Sequence, residues 1–313
     1  MSADAPLPPK PEMNVGFAGL QLRNPVLAAS GTFGYGIEFE DIVALDKIGG
    51  FVTKGLSKEP MAGNPAPRLY ETAAGMLNAI GLQNIGARAF VLEKLPELRK
   101  LNTVVIANVF GHTREDYEDT IQILNEGEGI AAYELNVSCP NTAAGGMVFG
   151  SDIHLLDDVV STAKRATWRP IIVKLSPNVT SIATMAQIAE AAGADALSLV
   201  NTFLAMCIDV ETRKPRIANV TAGLSGPAIK PIAVRMVYEA AHAVDIPVIG
   251  IGGISTAADI VEFLLAGAVA VEIGTASYWD PCATENIARD LEQWCAVHRV
   301  QKVTELIGAM KAE

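Results

Sequence analysis

The chain has 313 residues, half of them hydrophobic, with 24 Lys and Arg against 35 Asp and Glu, a net charge of −11. That length suits one α/β barrel, and the acidic balance without a basic stripe argues against nucleic acid or an anionic membrane surface as partner. Four cysteines occur, none spaced as CxxC, so a disulfide framework or zinc finger is not expected, and reduced thiols in a cytoplasmic protein are the simpler reading.

In chain order, residues 1–12 are proline-rich and polar without the apolar core of a signal peptide, and read as a flexible tail. Residues 13–313 then read as one domain. "NVGFAGLQLRN" predicts a short hairpin plugging the bottom of the fold. Eight apolar runs follow, at 24–30, 49–54, 103–109, 131–137, 170–176, 194–200, 246–253 and 268–275. Each is short, mostly rich in Val, Ile, Leu or Ala, and closed by turn residues, the pattern of buried parallel strands. Helical patterns fill the gaps; "SIATMAQIAEAAGA" ends at Gly193, a C-terminal cap. Eight βα units predict a (β/α)8 TIM barrel rather than a doubly wound sheet. Two connections, 55–81 and 201–226, are too long for plain loops. Both follow strands and should lie over the C-terminal face.

The last two strands end in "GIGGIS" (250–255) and "EIGTAS" (272–277). Glycines there let backbone N–H groups approach a ligand, and barrels hold phosphate at this place. Gly252, Gly253, Gly274 and Thr275 therefore read as a phosphate cradle, against the plainer reading of tight turns. No GxGxxG opens a helix, so a mononucleotide such as FMN fits better than NAD.

Buried barrel strands should be apolar, yet polar residues stand near several strand ends: Lys54, Asn108, Asn136, Lys174, Asn201 and Thr202. Each is costly in a dry core without a partner, and together they would converge at the mouth. A buried lysine can form a Schiff base, hold developing negative charge as on reduced flavin, or pair with a structural carboxylate. Asparagines suit a planar, amide-rich ligand. Cys139 follows strand 4 on the same face, ahead of "NTAAGGMVFG", which reads as a mobile flap. It is either a thiol base for a carbon acid or a structural loop cysteine. Cys207, Cys282 and Cys295 read as structural, and the four histidines offer no metal triad.

The motif "ELNVSCPN" (134–141) with "NAIGLQN" (78–84) closely resembles the dihydroorotate dehydrogenase family. So do "ASGTFGYG" (29–36), "VKLSPN" (173–178), "GLSGPAIKP" (223–231) and "GIGGI" (250–254), in the family's order from Asn14 to about Pro281. The resemblance implies a TIM barrel with FMN at its mouth, oxidising (S)-dihydroorotate to orotate in pyrimidine biosynthesis. A cysteine rather than a serine base is similar to class 1, and "NAIGLQN" to the type 1B catalytic subunit. That type implies a partner subunit with FAD and an iron–sulfur cluster that passes electrons to NAD, around a homodimer core in a heterotetramer. A fumarate-dependent type 1A enzyme and a related dihydropyrimidine dehydrogenase are the alternatives.

By motif, the resemblance implies Cys139 as the base. It implies Lys54, Asn78, Ala79, Ile80, Gly81, Leu82, Asn136, Asn201 and Thr202 as substrate contacts. It implies Ser30, Lys54, Gly55, Asn108, Asn136, Lys174, Val200, Gly226, Gly252, Gly253, Gly274 and Thr275 as flavin contacts. Gly55 and the small residues of "NTAAGGMVFG" depart slightly from the family pattern.

Overall fold

A computed structural model describes residues 10–138, 140–141 and 147–311. Eight parallel strands close into a barrel: β1 (Val26–Ala28), β2 (Gly50–Val52), β3 (Val104–Val109), β4 (Ala132–Asn136), β5 (Ile171–Lys174), β6 (Ala196–Leu199), β7 (Val248–Ile251) and β8 (Ala270–Ile273). Each pairs with its sequence neighbours, and β8 returns to β1. The expected runs hold every strand, but the strands are shorter, because the polar ends turn away into the loops that build the mouth. Lys54 lies past β2, and Asn201 and Thr202 lie past β6.

The helices that pack outside carry side-chain caps where the sequence places Ser, Thr or Asp before an apolar-periodic run. Thr113 and Thr256 each form a capping box, with Asp116 and Asp259. Asp152 and Ser181 cap helices Ile153–Ala166 and Ile182–Ala191. One expected unit is corrected. Between β1 and β2 there is only the 3₁₀ turn Ile37–Phe39, because "GTFGYG" places Gly34 and Gly36 at φ 52° and 87° and leaves no helical run. The hairpin is present as Val15–Phe17 and Leu20–Leu22, and its buried Val15, Phe17, Leu20 and Leu22 join the main core ahead of β1. Glu12 already belongs to the fold: its N–H donates to Gln301 O at 2.8 Å, and its carbonyl accepts from Val303 N at 2.9 Å. The expected tail at 1–9 lies outside the described residues. Cys295 is fully buried, and burial pushes its thiol up to about 11, which fits packing rather than chemistry.

Gly193 closes helix Ile182–Ala191 at φ 101°. Its N–H donates to Glu190 O at 2.9 Å, and Ala194 N donates to Ala189 O at 3.0 Å, the paired bonds of a Schellman end. Gly193→Ala should therefore destabilise the fold by about 1–2 kcal/mol, read as a lowered urea midpoint at unchanged slope.

The two long excursions do lie over the mouth, and they join there. Leu69–Thr72, Gly75–Asn78, Ala222–Ser225 and Phe203–Ala205 form one four-stranded antiparallel sheet. Nothing local in either segment specifies that pairing. Gly75 permits it, since a Cβ there would sit 2.1 Å from Ser225 O.

Candidate functional site

Between this sheet and the strand ends lies a cavity of about 360 Å³. Every substrate or flavin contact expected from the sequence lines it, from Ser30 and Lys54 to Gly274 and Thr275. Cys139 is the exception, lying outside the described residues, as do positions 142–146 of the expected flap. The flanks of that segment pair as Pro140–Asn141 with Met147–Val148.

At one end, Gly226, Gly252 and Gly253 hold φ of 94°, 132° and 74°. A Cβ on Gly253 would lie 2.8 Å from Gly226 O and 3.0 Å from Lys230 N; one on Gly252 would lie 2.8 Å from the Ala233 Cβ. These positions are closed to side chains both sterically and conformationally, so the backbone itself lines the cavity there. Thr275 opens the short helix Ala276–Trp279 and donates its hydroxyl to Ser225 Oγ at 2.8 Å. Such a glycine-walled end fits a phosphate tail.

At the other end, Asn201 Nδ2 donates to Asn136 Oδ1 and to Ser138 Oγ, both at 3.0 Å. Thr202 N donates to Asn201 Oδ1 at 2.8 Å. Tyr117 holds the Asn136 carbonyl at 2.8 Å, fixing the turn that leaves β4 toward position 139. Asn78 ends an inner strand of the roof sheet, between Leu69 and Gly223, with Nδ2 donating to Gly223 O at 3.4 Å. Beyond it, Gly81 and Leu82 both have positive φ, 75° and 57°. A leucine in that region costs about 1–2 kcal/mol, a strain typical of ligand-clamping loops, and successive N–H groups in such a turn make an anion-seeking concavity. Lys54 forms no ion pair among the described residues. Burial, and then the Arg68 guanidinium, hold its ammonium below the usual lysine range. A half-buried cation without an ion pair among the described residues, lining the same cavity as that turn, could receive a carboxylate.

The floor is a buried ionic cluster. Lys174 Nζ donates to Glu272 Oε2 at 3.1 Å, to Glu134 Oε1 at 3.3 Å and to Ser30 Oγ at 3.4 Å. Asn108 Nδ2 donates to Glu134 Oε1 at 2.6 Å. Lys174 thus has the carboxylate partners that one reading of a buried lysine required, and it still lines the cavity. This pairing disfavours a Schiff-base role, which needs a neutral amine: the two glutamates push Lys174 upward against the effect of burial. Sequence reasoning missed Glu134 and Glu272. Their signal was present, since each is a lone charge inside an apolar strand run, "AYELN" and "AVEI". Tyr278 and Trp279 at the cavity rim were also missed. They are exposed, and no spacing marks them.

The family model for dihydroorotate dehydrogenase matches residues 12–294. A Pelobacter propionicus protein named dihydroorotate dehydrogenase B (NAD(+)), catalytic subunit, is 56% identical over 96% of this chain and 99% of its own length. One of the same name from Trichlorobacter lovleyi is also 56% identical, with the same coverage. A Solibacter usitatus protein provisionally named dihydroorotate dehydrogenase A (fumarate) is 58% identical, again over 96% and 99%.

Proposed function

The chain belongs to the dihydroorotate dehydrogenase family, and on that premise we propose that it oxidises (S)-dihydroorotate to orotate in pyrimidine biosynthesis, with FMN held across the barrel mouth. One observation carries the reading: a single cavity gathers a glycine-walled end, an amide-rich end and a lysine with no ion pair among the described residues, beside the end of β4.

The residues fit FMN. Gly226, Gly252, Gly253, Gly274 and Thr275 would hold its phosphate; Ser30, Gly55, Asn108, Lys174 and Val200 would hold its ring. When bound, the flavin supplies the two-electron oxidant that accepts the hydrogen from C6. Lys54 and the Gly81–Leu82 turn take the substrate carboxylate. Asn78, Asn136, Asn201 and Thr202 pair with the ring amides and fix C5 toward Cys139. The Cys139 thiolate takes the C5 proton. The roof sheet excludes water from the amides, which strengthens each of those hydrogen bonds. Lys174 is a fixed ammonium placed where negative charge develops.

The direct test is anaerobic mixing of the FMN-loaded protein with dihydroorotate, expecting loss of the oxidised flavin absorbance with one orotate formed per flavin. A protein that takes up no flavin, or that is reduced by dihydrouracil and not by dihydroorotate, refutes the reading. A dihydrouracil enzyme would have no use for Lys54, since that substrate carries no carboxylate. Lys54→Ala should accordingly raise the KM for dihydroorotate about thirtyfold, the effect of about 2 kcal/mol for leaving the substrate carboxylate without its cation. Gly253→Ala should abolish FMN binding and lower stability by at least about 1–2 kcal/mol, as at Gly193, measured by flavin fluorescence titration and urea unfolding followed by circular dichroism.

The relatives named as catalytic subunits support a separate electron-transfer partner. The partner would carry FAD and an iron–sulfur cluster, because this chain has neither a cysteine cluster nor a GxGxxG turn for NAD. A homodimer of this chain would form the core of the heterotetramer. Among the described residues no helix is long and apolar enough to cross a membrane; the proposed cytoplasmic location rests on the cysteine usage. The fumarate-named relative favours a second reading, direct transfer to fumarate. Assay of the isolated chain separates the two: turnover with an artificial dye but not with fumarate or NAD supports the partner, and turnover with fumarate supports the alternative.

A further inference from the structure

Under the cavity floor one ammonium serves two carboxylates. The side chains of Glu134, Glu272 and Lys174 are 0%, 1% and 7% exposed. Donors are shared unequally between the glutamates. Glu134 accepts from Asn108 and Lys174 at Oε1, and from Ser198 Oγ at Oε2, at 2.8 Å. Among the described residues, Glu272 accepts from Lys174 at Oε2 alone, and its Oε1 has no partner although it is fully buried. The charged groups facing Glu272 are Lys174 from β5 and Glu134 from β4. Asn108 from β3, Ser198 from β6 and Ser30 after β1 are neutral, and β7 contributes only Val248–Ile251, apolar or glycine. Ionising both glutamates would leave a net negative charge in the buried barrel interior, with one oxygen that no described group donates to.

We propose that Glu272 is a positioning residue that holds Lys174 as a neutral carboxylic acid at physiological pH, while Glu134 alone is the carboxylate that balances the ammonium. Burial, and next the charge of Glu134, push Glu272 well above the usual carboxylate range. Burial acts on Glu134 in the same direction, but Lys174 and the neighbouring hydrogen bonds outweigh it and hold Glu134 low. The cluster then presents no net charge beneath the flavin ring, and the Lys174 ammonium faces the cavity without a competing second anion. That bearing on flavin rests on the function proposed above. The proton on Glu272 does not, so the test reads folding rather than turnover.

A carboxyl raised in the folded state contributes stability that is fully present below its unfolded pKa, near about 4.3, and is lost as pH rises toward the folded value. Gln mimics the neutral acid and does not titrate. Urea unfolding of the FMN-saturated wild type and of Glu272→Gln is compared between roughly pH 5 and pH 8. The folding constant of the wild type should fall relative to the variant by about tenfold per pH unit, until the folded pKa is passed. The titration of the FMN phosphate is common to both proteins and cancels. A variant that is less stable by the same factor at every pH would mean an ionised Glu272, and overturns the proposal. Should the variant not fold, wild-type holoenzyme labelled with ¹³C at glutamate carboxyls answers alone. One carboxyl resonance in the acid form at about pH 8 supports the proposal; all of them in the carboxylate form reject it.

Discussion

Cys139→Ala is expected to bind FMN as the wild type does and to lose about 10²–10⁴-fold in the rate of flavin reduction by dihydroorotate. The size follows from the role. A positioned general base contributes that factor, and alanine would remove the proposed base while leaving the residues proposed for the phosphate unchanged. The thiol needs no extreme shift to act, since a free cysteine titrates near about 8.5 and ionises appreciably in mild alkali. Anaerobic stopped-flow in the visible band of oxidised flavin gives the rate, and fluorescence titration gives the affinity. Near-normal reduction would remove Cys139 from the role of base and leave it a loop cysteine.

Lys174→Met is expected to lower stability by about 3–5 kcal/mol, the effect of stripping a buried anion of its cation. Glu134, wholly buried and still held by Asn108 and Ser198, would remain charged with nothing to balance it. Adding Glu134→Gln should restore much of the loss, because the doubly substituted cluster is again neutral. Urea denaturation of the flavin-free proteins measures both steps. A loss under about 1 kcal/mol for Lys174→Met would show that water reaches the cluster and screens it. Flavin affinity should fall in both variants, since the ammonium proposed to face the ring is gone in each.

Much of the site was readable from position within a repeated unit. Once the eight apolar runs are taken as barrel strands, a polar residue at a strand's C-terminal end can only face the mouth, which is how Asn108, Asn136 and Lys174 were placed. The same logic should have taken Glu134 and Glu272, each a charge within an apolar run, but they lie one layer below the lining and touch no expected ligand group. Their protonation depends on how two strands on opposite sides of the barrel face each other.

Local chemistry determined the elements: hydrophobic period for the strands and helices, Ser, Thr and Asp for the helix starts, and glycine for the Gly193 helix end and the cradle at Gly252 and Gly253. These are short-range properties, set by backbone sterics and by which face of a segment can leave water. Tertiary structure alone decided the roof, where Asn78 meets Gly223 across 145 positions. It also decided the sharing of one cation by two glutamates. Closing the barrel fixes which distant edges meet and which charges are stranded together without water, and no window of neighbouring residues contains that information.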